Sequence, residues 1–210
     1  MSDANRTHDP GLFTPNRTSA AWLLGLLGGA VVLLALGGES WRRALRYERL
    51  AILDAGEYWR LVTAHLVHGS FTHLSLNLAG LALIGALFPR HFLARGWAAI
   101  LLSSVAAIDA GFVWNEPQLH WYVGLSGVLH GGLAAGAISW WRYESRGLAL
   151  ALTGILVIKL IWEQWQGALP LSGDMPVIVN AHLYGAIGGA LAGAIIVSMQ
   201  RRWPRLARPL

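Results

Sequence analysis

The sequence predicts an all-α polytopic membrane protein, a bundle of six transmembrane helices with an amphipathic first loop. Three observations carry that expectation. Hydrophobic residues make up 55% of the chain and charged residues only 13%, with a mean hydropathy of +0.47, a balance unlike that of a soluble domain. The apolar residues gather into six segments, each near the roughly 20 residues that a hydrocarbon layer about 30 Å thick asks of a helix. The 25 glycines suit helices that pack through small residues in a bilayer.

The first segment, 20–36, follows a polar stretch that ends at Arg17. It is read as a retained helix and not a cleavable signal, because Gly37 and Gly38 follow it without a small-x-small cleavage pattern and more spans come after. The remaining segments lie at about 71–88, 97–113, 125–141, 147–163 and 179–199. Pro89 and Arg90, Asn115 to Pro117, Arg142 to Arg146, and Pro170 to Pro176 punctuate them. The long connection 37–69 mixes Trp41, Leu45, Ile52, Leu53, Tyr58 and Trp59 with charges, so short interfacial helices are expected there rather than a second domain. The chain thus divides into an N-terminal tail at 1–18, a six-helix membrane domain at 19–200 and a basic tail at 201–210.

The formal charge of +5 and pI near 10.2 call for no nucleic acid. The cations form short runs between apolar segments and not one stripe. With the N-terminus inside, the inner side holds Arg6, Arg17, Arg90, Arg95, Arg142, Arg146, Arg201, Arg202, Arg205 and Arg208. The outer side holds Arg42, Arg43, Arg46, Arg49 and Arg60, all in the first loop. The positive-inside rule then places both tails in the cytoplasm, with that loop as the one ambiguity. The absence of cysteine excludes disulfides, thiolate nucleophiles and cysteine-ligated metals.

In that topology the second, fourth and sixth helices all start at the outer face, where the polar residues that are costly in a bilayer collect. His73 and Asn77 share a face of the second at i, i+4 spacing, Ser126 opens the fourth within Gly124-Leu125-Ser126-Gly127, and His182 lies in the first turn of the sixth. A serine hydroxyl becomes nucleophilic when an imidazole takes its proton. A tetrahedral oxyanion needs preorganised donors, which His73, Asn77 and the Ser126 backbone N–H at a helix N-terminus could supply. Gly124 and Gly127 clear space beside the serine for a substrate backbone. Gly185, Gly189 and Gly193 recur every four residues, a small face for packing on Gly127, Gly131 and Ala135.

Gly-x-Ser-Gly at 124–127, Ala-His-x-x-Gly-x-x-x-Gly at 181–189, His-x-x-x-Asn at 73–77 and Trp59-Arg60 before them resemble, in their order and register, the rhomboid intramembrane proteases. Each motif alone is weak, but together they are specific. The resemblance covers 22–199. It implies a six-helix rhomboid-like fold, a catalytic dyad of Ser126 and His182 without a third acid, an oxyanion site including His73 and Asn77, and cleavage of membrane proteins near the outer face without a cofactor or metal. One position departs. Where many rhomboids have a tyrosine stacking on the catalytic histidine, four residues after the serine, this chain has His130. That stretch looks like the rhombosortase branch, which implies a bacterial inner membrane, a site open to the periplasm, and substrates with a C-terminal transmembrane segment behind a Gly-Gly motif. A rhomboid with other single-span substrates is the alternative.

Plainer readings stand beside these. A serine in a glycine-rich helix commonly bonds its own backbone, and His130 is either a buried histidine satisfied by a neighbour or a residue that sets the site. His65 and His68 read as loop or interface residues. Lys159 and Glu163, four apart, read as an ion pair, Asp109 as an interfacial hydrogen-bonding group, and Trp59 and Arg60 as anchors of the first loop at headgroup level. Two other function classes compete: a metal or haem protein using His65, His68, His73, His130 and His182, and a transporter, for which no inverted repeat is visible.

Overall fold

The computed structural model describes residues 17–168 and 177–202. Most of the two expected tails and the segment around Pro170 to Pro176 lie outside the described residues. Six long helices account for the six apolar segments: α1 (Arg17–Leu36), α5 (Phe71–Leu87), α6 (Ala94–Asn115), α7 (Ser126–Tyr143), α8 (Arg146–Gln166) and α9 (Val179–Arg202). Among the described residues, α6, α8 and α9 are each long and apolar enough to cross a bilayer. Helix α1 is also apolar and turns through 117° at Gly37 into α2 (Gly38–Leu45), while α5 is a shorter apolar helix of 17 residues. In α7, 11 of 18 residues are buried. Its sides face protein and not lipid, so small residues such as Gly131, Gly132, Ala134 and Gly136 replace large apolar ones.

The first loop folds as expected into short helices, α2, α3 (Arg49–Leu53) and α4 (Arg60–Thr63). It also adds something the all-α expectation lacked. A two-residue strand β1 (Tyr47–Glu48) pairs antiparallel with β2 (Trp121–Tyr122), Tyr47 opposite Tyr122. The pairing buries Tyr47 completely against Phe112, with ring centroids 5.5 Å apart. Phe112 in turn meets the Tyr122 ring at 4.9 Å. These aromatic contacts pin the loop over the end of α6 and the start of α7.

Each first-loop arginine is engaged. Arg42 and Arg43 pair with Glu39, and Arg46 pairs with Glu48. Arg49 donates to the carbonyls of Phe112 and Val113 at 3.0 and 3.1 Å, satisfying two orphan acceptors at the end of α6. Arg60 binds Glu57 and the carbonyls of Arg43 and Arg46, the latter two at 2.9 Å. It therefore braces the end of α2 from within the loop, while Trp59 remains exposed.

At the seam between α7 and α9 the two backbones come close together. A Cβ at Gly185 would run into the carbonyl oxygen of Gly127, and one at Gly189 into that of Gly131. One at Gly193 would come within 2.8 Å of the Ala135 Cα. The expected small-residue face is therefore present, in the expected register.

Candidate active site

Ser126 is the first residue of α7, and the residues before it explain why the helix begins there. Gly124 has φ +125, a conformation that favours glycine, and a Cβ there would lie 2.6 Å from the His73 ring. Its N–H donates to the Ala64 carbonyl at 2.9 Å and its own carbonyl accepts from the Tyr122 hydroxyl at 2.6 Å. Burial pushes the Tyr122 hydroxyl above its ordinary pKa, so it remains a donor. The turn is thus held from both sides, and the serine is delivered at the positive end of a helix.

His182 lies in the first turn of α9, 5% exposed. Its Nε2 is 2.9 Å from Ser126 Oγ, within the reach that proton transfer requires. The His130 ring lies parallel to it, centroids 4.1 Å apart at 16°. His130 therefore fills the stacking place that the resemblance gives to a tyrosine. A carbonyl only accepts, so the contact of 2.7 Å between His130 Nδ1 and the Ser126 carbonyl puts a proton on Nδ1.

His73, Asn77, Ser126, His130 and His182 all line one cavity of about 510 Å³, closed on its far side by α8. The Asn77 amide nitrogen donates at 3.1 Å to the His73 carbonyl in its own helix. The amide carries a second N–H, which remains available to an oxyanion. A Cβ at Gly127 would meet the Ala181 carbonyl at 2.7 Å and Ile108 at 2.8 Å, so its missing side chain makes room for α9, the packing role expected of it in the α7–α9 seam.

His68 packs edge-on against His73, centroids 4.9 Å apart, and burial holds its pKa down at about 4. The unfolded chain takes up that proton near pH 6.5, so between the two values the unfolded state binds more protons and stability rises with pH. We expect the melting temperature in detergent to fall as pH drops from about 6.5 towards 4, and to fall less in His68→Leu. Identical pH slopes in the two proteins would remove His68 as the cause. His65 is also buried, its Nε2 3.4 Å from the Asp109 carboxylate. Asp109 thus serves a histidine other than His182, as its reading as an interfacial group allowed.

Lys159 and Glu163 form the expected ion pair at 2.5 Å. Sequence reasoning missed the other half of that contact. Glu163 is 3% exposed, and its second carboxylate oxygen lies 2.9 Å from His182 Nδ1. The available signal was its position: an acid near the outer end of a helix, level with the two motif residues. Among the described residues, His130, Glu163 and His182 are the one group whose donor atoms converge closely enough to consider a metal. Both nitrogens of His182 are already engaged, and the two stacked rings keep their lone pairs in near-parallel planes. His65, His68 and His73 stand outside that group.

Apolar helices of spanning length, with a polar cluster at their shared end, define an integral membrane protein. Residues 55–199 match the Rhomboid domain, and the chain belongs to the rhomboid family, whose members are in general serine proteases acting within membranes. It is similar to RHOMBOID-like protein 5 of Arabidopsis thaliana, 30% identical over 178 residues, covering 82% of this chain and 52% of the relative. It is also similar to RHOMBOID-like protein 7 of the same plant, 26% identical over 163 residues, covering 72% of this chain and 47% of the relative. The chain therefore spans about half the length of these curated relatives.

Proposed function

We propose that this chain is an intramembrane serine endopeptidase in which Ser126 is the nucleophile and His182 its general base. The observation that carries the reading is the 2.9 Å separation of His182 Nε2 and Ser126 Oγ. Ser126 Oγ bonds to the scissile carbonyl carbon as its proton passes to His182 Nε2. The C–N bond then breaks and the same proton goes to the leaving amine nitrogen. Water repeats the sequence in reverse roles, freeing the carboxyl product and the serine. The Ser126 backbone N–H, His73 and the second amide N–H of Asn77 stabilise the developing oxyanion.

The protease domain is residues 19–200, with six spans and both termini in the cytoplasm. The later connections support that orientation, since Arg90, Arg95, Arg142 and Arg146 fall on one side while 116–125 and 167–178 on the other carry no Lys or Arg. The His130 stack supports the rhombosortase branch. On that reading the site opens to the periplasm of a bacterial inner membrane. There it processes exported proteins whose C-terminal transmembrane segment follows a Gly-Gly motif.

The test is labelling of purified protein with a fluorophosphonate, alongside cleavage of two single-span substrates that differ only in the Gly-Gly motif. Labelling in wild type, its loss in Ser126→Ala and preference for the Gly-Gly substrate are expected. Folded wild-type protein that is never labelled would overturn the protease reading. Equal cleavage of both substrates would replace the rhombosortase assignment by a general rhomboid one.

A further inference from the structure

Three groups outside the serine and its base are buried and chemically capable: the His65–Asp109 pair, the His68–His73 pair and Glu163. Glu163 is the one that touches the base itself. A neutral imidazole carries one N–H, and its position decides which nitrogen can accept a proton. A carboxylate flanked by a lysine is an acceptor only. The 2.9 Å contact between Glu163 Oε2 and His182 Nδ1 therefore requires the hydrogen on Nδ1. That leaves the lone pair on Nε2, which faces Ser126 Oγ at 2.9 Å. The carboxylate's other oxygen is held by Lys159 at 2.5 Å. The lysine keeps the acid ionised in a place where an isolated buried charge would be costly.

We propose that Glu163 is a positioning residue for His182, so that this rhomboid works with a serine, a histidine and an orienting glutamate in place of the dyad alone. The proposal rests on the assignment of Ser126 and His182 above. Glu163 holds the ring in the tautomer and rotation that reach Ser126, and faces the imidazolium formed when Nε2 takes the serine proton. It does not itself become protonated. The proton taken from Ser126 stays on Nε2 until the leaving amine receives it, and the Nδ1 proton stays on Nδ1 throughout.

The contact also has a mechanical side. Glu163 comes from α8, where Ala149, Leu156 and Glu163 are the only buried residues described, whereas Ser126 and His182 come from the tightly seamed α7 and α9. Displacing α8 outward parts the orienting carboxylate from a base and nucleophile that stay together.

The experiment compares Glu163→Gln with wild type and Ser126→Ala, all full-length in detergent, with 15N-histidine NMR of wild type to read the His182 tautomer. We expect kcat to fall about 100-fold or more in Glu163→Gln, with KM within about threefold. The wild-type His182 proton is expected on Nδ1. A merely structural ion pair would leave tautomer and kcat alone. Activity of Glu163→Gln within about threefold of wild type, or a wild-type His182 proton on Nε2, would overturn the proposal. The NMR arm decides the matter even if the variant folds poorly. The two readings fail separately: a fully active Ser126→Ala removes the serine mechanism itself, whereas an inactive Ser126→Ala beside an active Glu163→Gln removes only the role of Glu163.

Discussion

Replacing His182 by alanine is expected to lower cleavage of a single-span substrate by about 1,000-fold or more, while the protein stays folded. The loss is large because Ser126 Oγ has its hydrogen-bond acceptor in the His182 Nε2, and a serine hydroxyl without a base is a poor nucleophile at neutral pH. The fold survives for two local reasons. Glu163 retains Lys159 as partner when the imidazole is removed, so no buried charge is left alone. The α7–α9 seam is made by Gly185, Gly189 and Gly193, one or more turns further along α9. Turnover by purified variant and wild type, with melting curves beside them, checks the prediction. A variant within tenfold of wild type would mean that another group takes the serine proton.

Gly185→Ala is expected to act on stability and catalysis together. The added methyl group would enter the Gly127 carbonyl oxygen, which is backbone and cannot rotate away. The two helices must part, at a cost of about 1 to 3 kcal/mol typical of overpacking. Because Gly185 is one turn from His182 and Gly127 is the residue after Ser126, the displacement acts almost directly on the base and the nucleophile. A misplacement of about 1 Å is worth roughly 100-fold in rate. Chemical denaturation and substrate cleavage should therefore both fall, unlike the separable outcome for His182→Ala. Wild-type stability and turnover in Gly185→Ala would show that the seam is looser than the structure has it. The same substitution at Gly154, which has open space around it, serves as the control.

The helices were legible because a bilayer imposes their length and composition, and the apolar runs at 71–88 and 179–199 fall on α5 and α9 within a residue or a few. The juxtaposition of Ser126 with His182 was legible for a related reason: both begin a helix entering from the same side, so topology alone brings them level. Rotation about the helix axis is what hydropathy does not encode. Glu163 looked satisfied by Lys159 one turn away, and only the facing of α8 shows that its second oxygen reaches His182. The β1–β2 bridge was invisible because two-residue strands carry no periodicity and their partners, Tyr47 and Tyr122, are far apart in the chain.

The outward side of α8 carries Ile155, Ile158, Ile161 and Trp165, from 59% to 82% exposed. With so little of this helix tucked into the protein, surrounding acyl chains rather than water are expected to meet that surface and to share in keeping the helix seated. Annular lipid is then, in effect, the outermost wall of the cavity that holds Ser126 and His182. The structural unit is the polypeptide together with its bilayer, and a change in the thickness or packing of that bilayer is expected to reach the cavity through α8 without touching a residue in it.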